Sequence, residues 1–469
     1  MNCSHEPHSG WGNYRREWCA VYHPQTAAEA IGLVAGRNNL ISRGLGRSYG
    51  DAAVNGRGGV VSHRAMNRLL SFDEATGVLT CEAGVSFDEI IRFALPRGFF
   101  PLVTPGTRFA TVGGAIAADV HGKNHPRDGS FAAALLDFRL LTATGKVLDC
   151  SPERNSIAFW TTVGGMGLTG AVLDARLRLR PVATGYMTVE HQRTRSLEET
   201  LDEFKCGGRF TYSVAWLDCL TGGRAVLTHA EHTPTDQLQA HRSGEPLSPR
   251  HRRSASIPYN LPAGLMNRWT ARALGAIYYR CPRRRRAIVP YQAFFYPLDA
   301  VAHWNRLYGR RGLLQYQAVF PTATARNGLN SLLREIARSR EAPLLAVLKR
   351  FGSANEGLLS FPMPGFTLSV DFPNTGAGLA ELLMRLDELV IDCGGRVYLA
   401  KDARLPRAAF EQMYPRAAEF RQVKRELDPH GQFASSLGRR LGLTCKARTV
   451  GIAHHEFMVG DAHPTILQS

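Results

Sequence analysis

The apolar and polar positions of the chain fall into two textures. From about residue 20 to 180, short β-rich runs alternate with glycine-rich turns and a few helices. Thr26 ahead of residues 27–35 predicts a capped helix, 39–42 a strand, and 60–61 and 78–83 further strands. Ser86 predicts the cap of a helix reaching Leu95. Residues 138–142 and 147–150 flank Thr144-Gly145-Lys146, which predicts a hairpin. Residues 171–180 alternate apolar and charged side chains before Pro181, and predict a strand at a solvent edge. From about 182 to 395 the pattern turns α+β. Helices at 196–204, 327–340 and 378–391 alternate there with strands at 314–320, 344–349 and 366–372. Val397 opens a strand followed by helices to about Leu441, and 444–469 carries no periodicity, as expected of a mobile tail. No internal repeat is visible.

Three glycine clusters interrupt the first texture at strand ends. They are Arg43-Gly44-Leu45-Gly46-Arg47-Ser48-Tyr49-Gly50; Pro105-Gly106-Thr107 through Thr111-Val112-Gly113-Gly114-Ala115-Ile116 to His121-Gly122-Lys123-Asn124; and Val163-Gly164-Gly165-Met166-Gly167-Leu168-Thr169-Gly170. Glycine lets backbone N–H groups come close to a phosphate, so converging loops of this kind would cradle an anion. A Rossmann dinucleotide site does not fit. The first loop reads G-x-G-x-x-x-G and residues 51–56 cannot open a helix, while the third fits G-x-G-x-x-G but leads into a strand.

Composition narrows the class. With 469 residues, 44% apolar and 21% charged, the chain is globular, and two to four domains are expected. Nine cysteines stand singly with no C-x-x-C pair. That argues against a zinc site or a disulfide framework and for reduced thiols in a cytoplasmic protein; no metal is expected. No secretory signal and no membrane span is expected either, because no apolar run approaches 18 residues. The net charge of +17 is unevenly spread: residues 242–286 hold eleven Arg against Glu245 alone, leaving 46 basic and 39 acidic residues elsewhere. No nucleic-acid reader motif accompanies this segment. Its arginines interleave with Leu261, Leu265, Met266, Trp269 and tyrosines, which suits a peripheral contact with an anionic membrane surface.

The glycine loops, in their order, resemble the PCMH-type flavin domain of the vanillyl-alcohol-oxidase superfamily. More narrowly, the chain resembles the decaprenylphosphoryl-β-D-ribose 2′-oxidase family. The likeness runs from Gly10-Trp11-Gly12 through Tyr212-Ser-Val-Ala-Trp216, Leu314-Gln-Tyr-Gln317, Phe361-Pro-Met-Pro-Gly365, Val370-Asp-Phe-Pro373, Tyr398-Leu-Ala-Lys-Asp402 and Phe433-Ala-Ser435, covering about residues 10–442. It implies an α+β fold: a two-part FAD-binding domain (7–181 and 396–443) with an inserted α+β substrate domain on an antiparallel sheet (182–395). The basic segment 242–286 would be a flap beside the substrate entrance, and 444–469 a tail.

The same resemblance implies FAD contacts at Gly44, Gly46, Arg47, Ser48, Tyr49, Gly50, Gly106, Thr107, Thr111, Gly113, Gly114, Ala117, His121, Gly122, Asn124, Gly167 and Gly170. Backbone amides of the first two loops would hold the pyrophosphate, and the third loop would line the flavin. Arg47 stands where many relatives attach FAD through a His, so non-covalent FAD is expected. The implied reaction oxidises the ribose C2 hydroxyl of a polyprenylphosphoryl-β-D-ribose to a ketone. A separate NAD(P)H-dependent reductase would complete epimerisation to the arabinose donor. Releasing hydride from that carbon requires its hydroxyl to lose a proton. Lys401 matches the family's active-site lysine and would act as base or hydroxyl-orienter, with His121 and Tyr49 beside it.

For the substrate, Gln315 and Gln317 would bind sugar hydroxyls, Lys349 the phosphate, and Trp216, Leu345 and Val347 would form an apolar wall. Three positions depart from the family pattern. Ser369 replaces a Cys that covalent inhibitors attack, Thr367 an Asn, and Phe295 a Tyr, which puts sugar or lipid specificity in question. Two other readings stay open: a flavin oxidase of a soluble sugar or alditol, and a non-catalytic flavin-loaded membrane-surface protein.

Overall fold

Local signals set the first elements. Thr26 caps helix Ala27–Ala35 by accepting from the Glu29 amide, and Ser86 and Glu89 form a reciprocal capping box on helix Phe87–Ala94. The computed structural model describes residues 3–238, 245–249, 254–262, 264–281 and 284–444. The tail expected at 444–469 therefore lies outside the described residues after Thr444, as do parts of the 242–286 segment.

Among the described residues, three large sheets follow one another along the chain, besides a two-stranded parallel pair of Ala255–Ser256 with Val301–Ala302. The first runs Cys3–His8, Glu17–Tyr22, Gly59–Ser62, Leu40–Arg43, with parallel pairing about Gly59–Ser62. The second runs Leu69–Asp73, Val78–Glu82, Ala171–Pro181, Leu135–Leu141, Val147–Cys150, with Phe99–Pro101 added to the end of Ala171–Pro181. Its last pair is the hairpin turning at Thr144-Gly145-Lys146. Ala171–Pro181 corrects one expectation. It is the central strand, flanked by Val78–Glu82 and Leu135–Leu141, and not an edge. Its alternation reports a solvent-facing side carrying Arg176, paired with Asp137, while Leu177 and Leu179 face the core. Period-two alternation identifies faces and says nothing about lateral neighbours.

The third sheet has eight strands in the order Arg286–Pro290, Tyr186–Thr194, Ala225–His232, Tyr212–Leu217, Leu345–Phe351, Gly365–Pro373, Leu313–Pro321, Arg396–Val397. Helices Ala325–Arg338 and Ala377–Asp392 are amphipathic. They bury Leu329, Leu332, Ile336, Leu379, Leu383 and Leu386 with strand residues Leu314, Tyr316, Ala318 and Phe320. Each such leucine contributes roughly 1.5–3 kcal/mol relative to leaving it in water. The intervening strand positions, Gln315 and Gln317, face the other way.

After the third sheet the chain returns to the first. Leu40 bridges Phe433 in parallel, the Leu40 amide donates to the Gln432 carbonyl, and Arg440 pairs with both Asp51 and Asp402. Lys424 is buried there, donating to Asp428 and to the carbonyls of Leu168 and Phe433. Among the described residues, no helix is long and apolar enough to cross a membrane.

Candidate active site

Strand register assembles a polar patch on one face of the third sheet. Gln315 pairs with Asp371 and Gln317 with Ser369 on one side of Gly365–Pro373. On its other side Leu345 pairs with Asp371, Val347 with Ser369 and Lys349 with Thr367. Because side chains alternate, these residues project from one face, and Gln315, Gln317, Val347, Lys349 and Ser369 line a cavity of about 480 Å³. The opposite wall is built from the glycine loops, including Gly44, Gly46, Arg47, Ser48, Tyr49, Gly106, Thr107, Thr111, Gly113, Gly114, Ala117, Gly167 and Gly170. Lys401 and His121 stand between the two walls.

His121 joins the sheet face. Its Nδ1 lies 3.0 Å from Lys349 Nζ and its Nε2 lies 3.1 Å from Gln317 Nε2. Gln317 also donates to Thr367 Oγ at 3.2 Å, and that hydroxyl donates to the Ala318 carbonyl at 3.0 Å. The rings of Phe351, Phe361 and Tyr398 pack around the imidazole. Burial, then the neighbouring Lys349, His125 and Lys401, push His121 well below its ordinary pKa, so it is neutral. Burial and Lys401 bring Lys349 down to about 7.

Lys401 occupies a different environment. Its ammonium sits 3.8 Å from the centre of the Tyr49 ring. Burial lowers it to about 8, and the Asp371 carboxylate opposes that shift. Asp371 is pushed up to about 6 by burial, against Gln315 and Lys401, and its Oδ2 has no hydrogen-bond partner. Gln315 donates to its other oxygen. Asp371 is 1% exposed and was absent from the sequence-level candidates. Its place two residues past Ser369, on the same strand face, is the signal that points to it.

The glycine loops divide the labour. Thr111 caps a helix over Val112–Ala118 that the double glycine conceals from propensity, since each glycine costs about 1 kcal/mol relative to Ala. Packing here is close: a Cβ on Gly113 would lie 3.0 Å from that of Ala83, and one on Gly44, in the facing first loop, would lie 2.1 Å from Thr111 Oγ1. The helix's first amides are already used, Val112 and Gly113 donating to Val85 and Ala83, and Gly114 to Thr111 Oγ1. Among the described residues, the amides of 44–48, Gly106 and Thr107 donate to no protein acceptor.

Six expected residues do not line the cavity. Gly50 lies against the Asp402 carbonyl, where a Cβ would come within 1.7 Å. Asn124 holds its own loop through Leu102 and Asp128, beside Gly122. Thr367 is fully buried beneath Gln317. Trp216 is in register with Val347 but packs against Tyr278 in a tilted arrangement, 4.6 Å between ring centres. Leu345 lies one register step beyond, opposite Asp371. The lining also includes residues that no local signal announced: Trp11, His63, Asp299 and Trp304. Trp11 stacks on Arg47 at 4.1 Å, and Asp299 accepts from the Thr107 hydroxyl and the Arg108 amide.

Comparison with known proteins places this geometry. A family profile described as FAD binding domain matches residues 20–151, and one described as D-arabinono-1,4-lactone oxidase matches 325–441. A decaprenylphosphoryl-β-D-ribose oxidase of Mycolicibacterium smegmatis is 40% identical over 447 residues, covering 92% of this chain and 97% of the relative. An L-gulono-1,4-lactone dehydrogenase of Mycobacterium tuberculosis is 23% identical across 92% of this chain and 98% of its own. Cytokinin dehydrogenase 10 of Oryza sativa is 30% identical over 131 residues, 26% of this chain and 24% of the relative. The cofactor that goes with the matched domain is FAD, and the cavity suits it. Free amides at 44–48 and the unpartnered, buried Nε of Arg47 offer donors to phosphate or flavin oxygens. His63 Nδ1 is a second unpartnered buried atom in the lining.

Proposed function

The chain belongs to the family of FAD-dependent decaprenylphosphoryl-β-D-ribose oxidases, oxidoreductases acting on CH–OH donors, and on that premise we propose that it oxidises the C2 hydroxyl of a polyprenylphosphoryl-β-D-ribose to the ketone. The observation that carries this reading is the cavity in which glycine loops face a sheet surface bearing Gln315, Gln317, Ser369 and Lys349, with Lys401 between the two walls. Bound FAD supplies a hydride acceptor. The chain supplies the rest: donors for the cofactor at 44–48, a ring and ammonium at Tyr49 and Lys401, and polar groups that orient a sugar. His121, neutral and fully hydrogen-bonded, positions its neighbours. The ketone then calls for a separate NAD(P)H-dependent reductase that delivers hydride to the other face.

FAD is held without a covalent link, Arg47 standing where many relatives carry a His; a flavin that stays with acid-precipitated protein would overturn this. Anaerobic addition of polyprenylphosphoryl ribose should bleach the flavin. The matched lactone-oxidase profile favours one second reading, a soluble sugar or alditol oxidase, which predicts bleaching by free sugars only. Absence of bleaching by either would leave a flavin-loaded surface protein. A Lys401→Ala variant reduced at the wild-type rate would remove that lysine from the mechanism.

The substrate's greasy tail suggests where the enzyme works. Helix Arg268–Arg280 packs inward through Ala271 and Gly275 and turns Trp269 (78% exposed), Ile277 (66%) and Leu274 (51%) to solvent, flanked by Arg272 and Arg280. Aromatic and aliphatic residues rimmed by arginine suit the interface of an anionic bilayer. Replacing Trp269 and Ile277 together by Ser should release the protein from phosphatidylglycerol vesicles while FAD stays bound. Unchanged vesicle binding would refute the contact.

A further inference from the structure

We propose that Lys349 is the proton acceptor for the hydroxyl being oxidised, and that the hydrogen-bond chain Ala318–Thr367–Gln317–His121 holds it as a neutral amine. The argument is one of direction. A backbone carbonyl only accepts, so the Thr367 hydroxyl spends its one hydrogen on Ala318. The Thr367 oxygen must then accept from Gln317, which turns the amide NH₂ towards it. The second hydrogen of that NH₂ points at His121 Nε2, which therefore carries a lone pair. A neutral imidazole has one N–H, and here it sits on Nδ1, aimed at Lys349 Nζ 3.0 Å away. The amine must accept this hydrogen, which an ammonium cannot do.

Lys401 differs on each count. It has the Tyr49 ring face and the field of the Asp371 carboxylate, both of which favour a cation. The charged and titratable groups acting on Lys349 are Lys401 and, through the same cluster, Lys123, His125 and His121; no carboxylate lies among them. Their combined effect also runs towards the neutral amine. Composition points the same way. The chain has only seven lysines among its 57 basic residues, and Arg, which cannot lose its proton in a protein, fills nearly every other basic position. Lysine at 349 thus keeps at this position a group that can lose its proton. The two lysines then have separate work. Lys401 supplies fixed positive charge near Tyr49, and Lys349 takes the proton. This also moves Lys349 from the substrate phosphate, its expected partner, to the reacting hydroxyl.

The step balances within the oxidation proposed above, on which it rests. The O–H proton would pass to the Nζ lone pair and C=O would form, with bound FAD serving as the acceptor for the C–H hydrogen and its electron pair. Lys349 becomes an ammonium that returns its proton to solvent before the next turnover. Thr367 and Gln317 act through His121 and are positioning residues.

With so few lysines, the holoenzyme labelled with ¹³Cε-lysine can be titrated by NMR with no substrate present. The signal lost in Lys349→Arg should titrate near neutrality, below the signal lost in Lys401→Arg. Thr367→Val frees the Gln317 amide to turn over, and should raise the Lys349 midpoint by about one unit or more, while Thr367→Ser leaves it in place. A Lys349 midpoint at or above that of Lys401, or one unmoved in Thr367→Val, would overturn the proposal. In single-turnover flavin reduction, the rising limb of rate against pH should follow the Lys349 midpoint and shift with it in Thr367→Val. A limb that follows Lys401 instead would assign the proton there. If no polyprenylphosphoryl ribose bleaches the flavin, the substrate reading fails, and the titration still decides the state of the amine.

Discussion

The two walls of the cavity work by different means. The glycine wall acts through backbone: free amides at 44–48 and close approaches that exclude a Cβ at Gly44 and, just behind the lining, at Gly50. The sheet wall acts through side chains that strand register sets opposite one another, Gln315 to Asp371, Gln317 to Ser369 and Lys349 to Thr367. Damage to the first should therefore be all-or-none and structural. Damage to the second should be graded and chemical, because a sheet tolerates altered side chains while its ladder stays paired.

The severest break is Gly50→Ala. Its Cβ would sit 1.7 Å from the Asp402 carbonyl, backbone against backbone, so the first loop cannot close. Expressed protein should carry little or no FAD, read from its flavin-to-protein absorbance ratio. A variant with full flavin content would show that the loop yields more than its packing implies. On the sheet wall, Lys349→Met should keep FAD yet slow flavin reduction by roughly 10²–10⁴-fold, the usual range for loss of a general base. Equal loss of FAD and rate would erase the contrast between the walls.

Asp371→Asn gives a smaller effect of opposite sign on stability. The carboxyl is held at about 6 against an ordinary 3.8, so the native state binds a proton that the unfolded chain has released. Its ionisation therefore opposes folding above about pH 6, and the effect vanishes below both values. The variant's thermal midpoint should exceed the wild type's at pH 8 and match it near pH 3. The reverse order would mean that Lys401 and Asp371 stabilise the fold as a pair. Least disruptive is Ser369→Cys, a nearly isosteric change on the cavity wall. Wild type should resist thiol-directed electrophiles at this position and the variant should gain one adduct by mass, with flavin reduction before labelling unchanged.

The two walls also differed in legibility. Glycine loops announce themselves because backbone chemistry needs a particular residue type at a particular place in the chain, and their order carried the resemblance. Caps at Thr26 and Ser86 were legible for the same local reason. The sheet wall was half legible. Gln315, Gln317 and Lys349 could be singled out, but Asp371 emerged only when register placed it beside Gln315. Trp304 and Asp299 reach the cavity from a connection lacking any periodic pattern. Helix Val112–Ala118 shows the converse, a tertiary requirement for close packing overriding poor helix propensity. The central place of Ala171–Pro181 depended on partners far along the chain, which alternation alone cannot name.

The C-terminal return has a consequence for how the enzyme is made. The first glycine loop and the strand leading into it emerge from the ribosome early, but their neighbours Asp402, Gln432, Phe433 and Arg440 are synthesised much later. Contacts spanning almost 400 residues form late and slowly. A chain arrested before residue 430 would hold all three glycine clusters and lack the strut beside the first, and should capture FAD poorly when tested for flavin content.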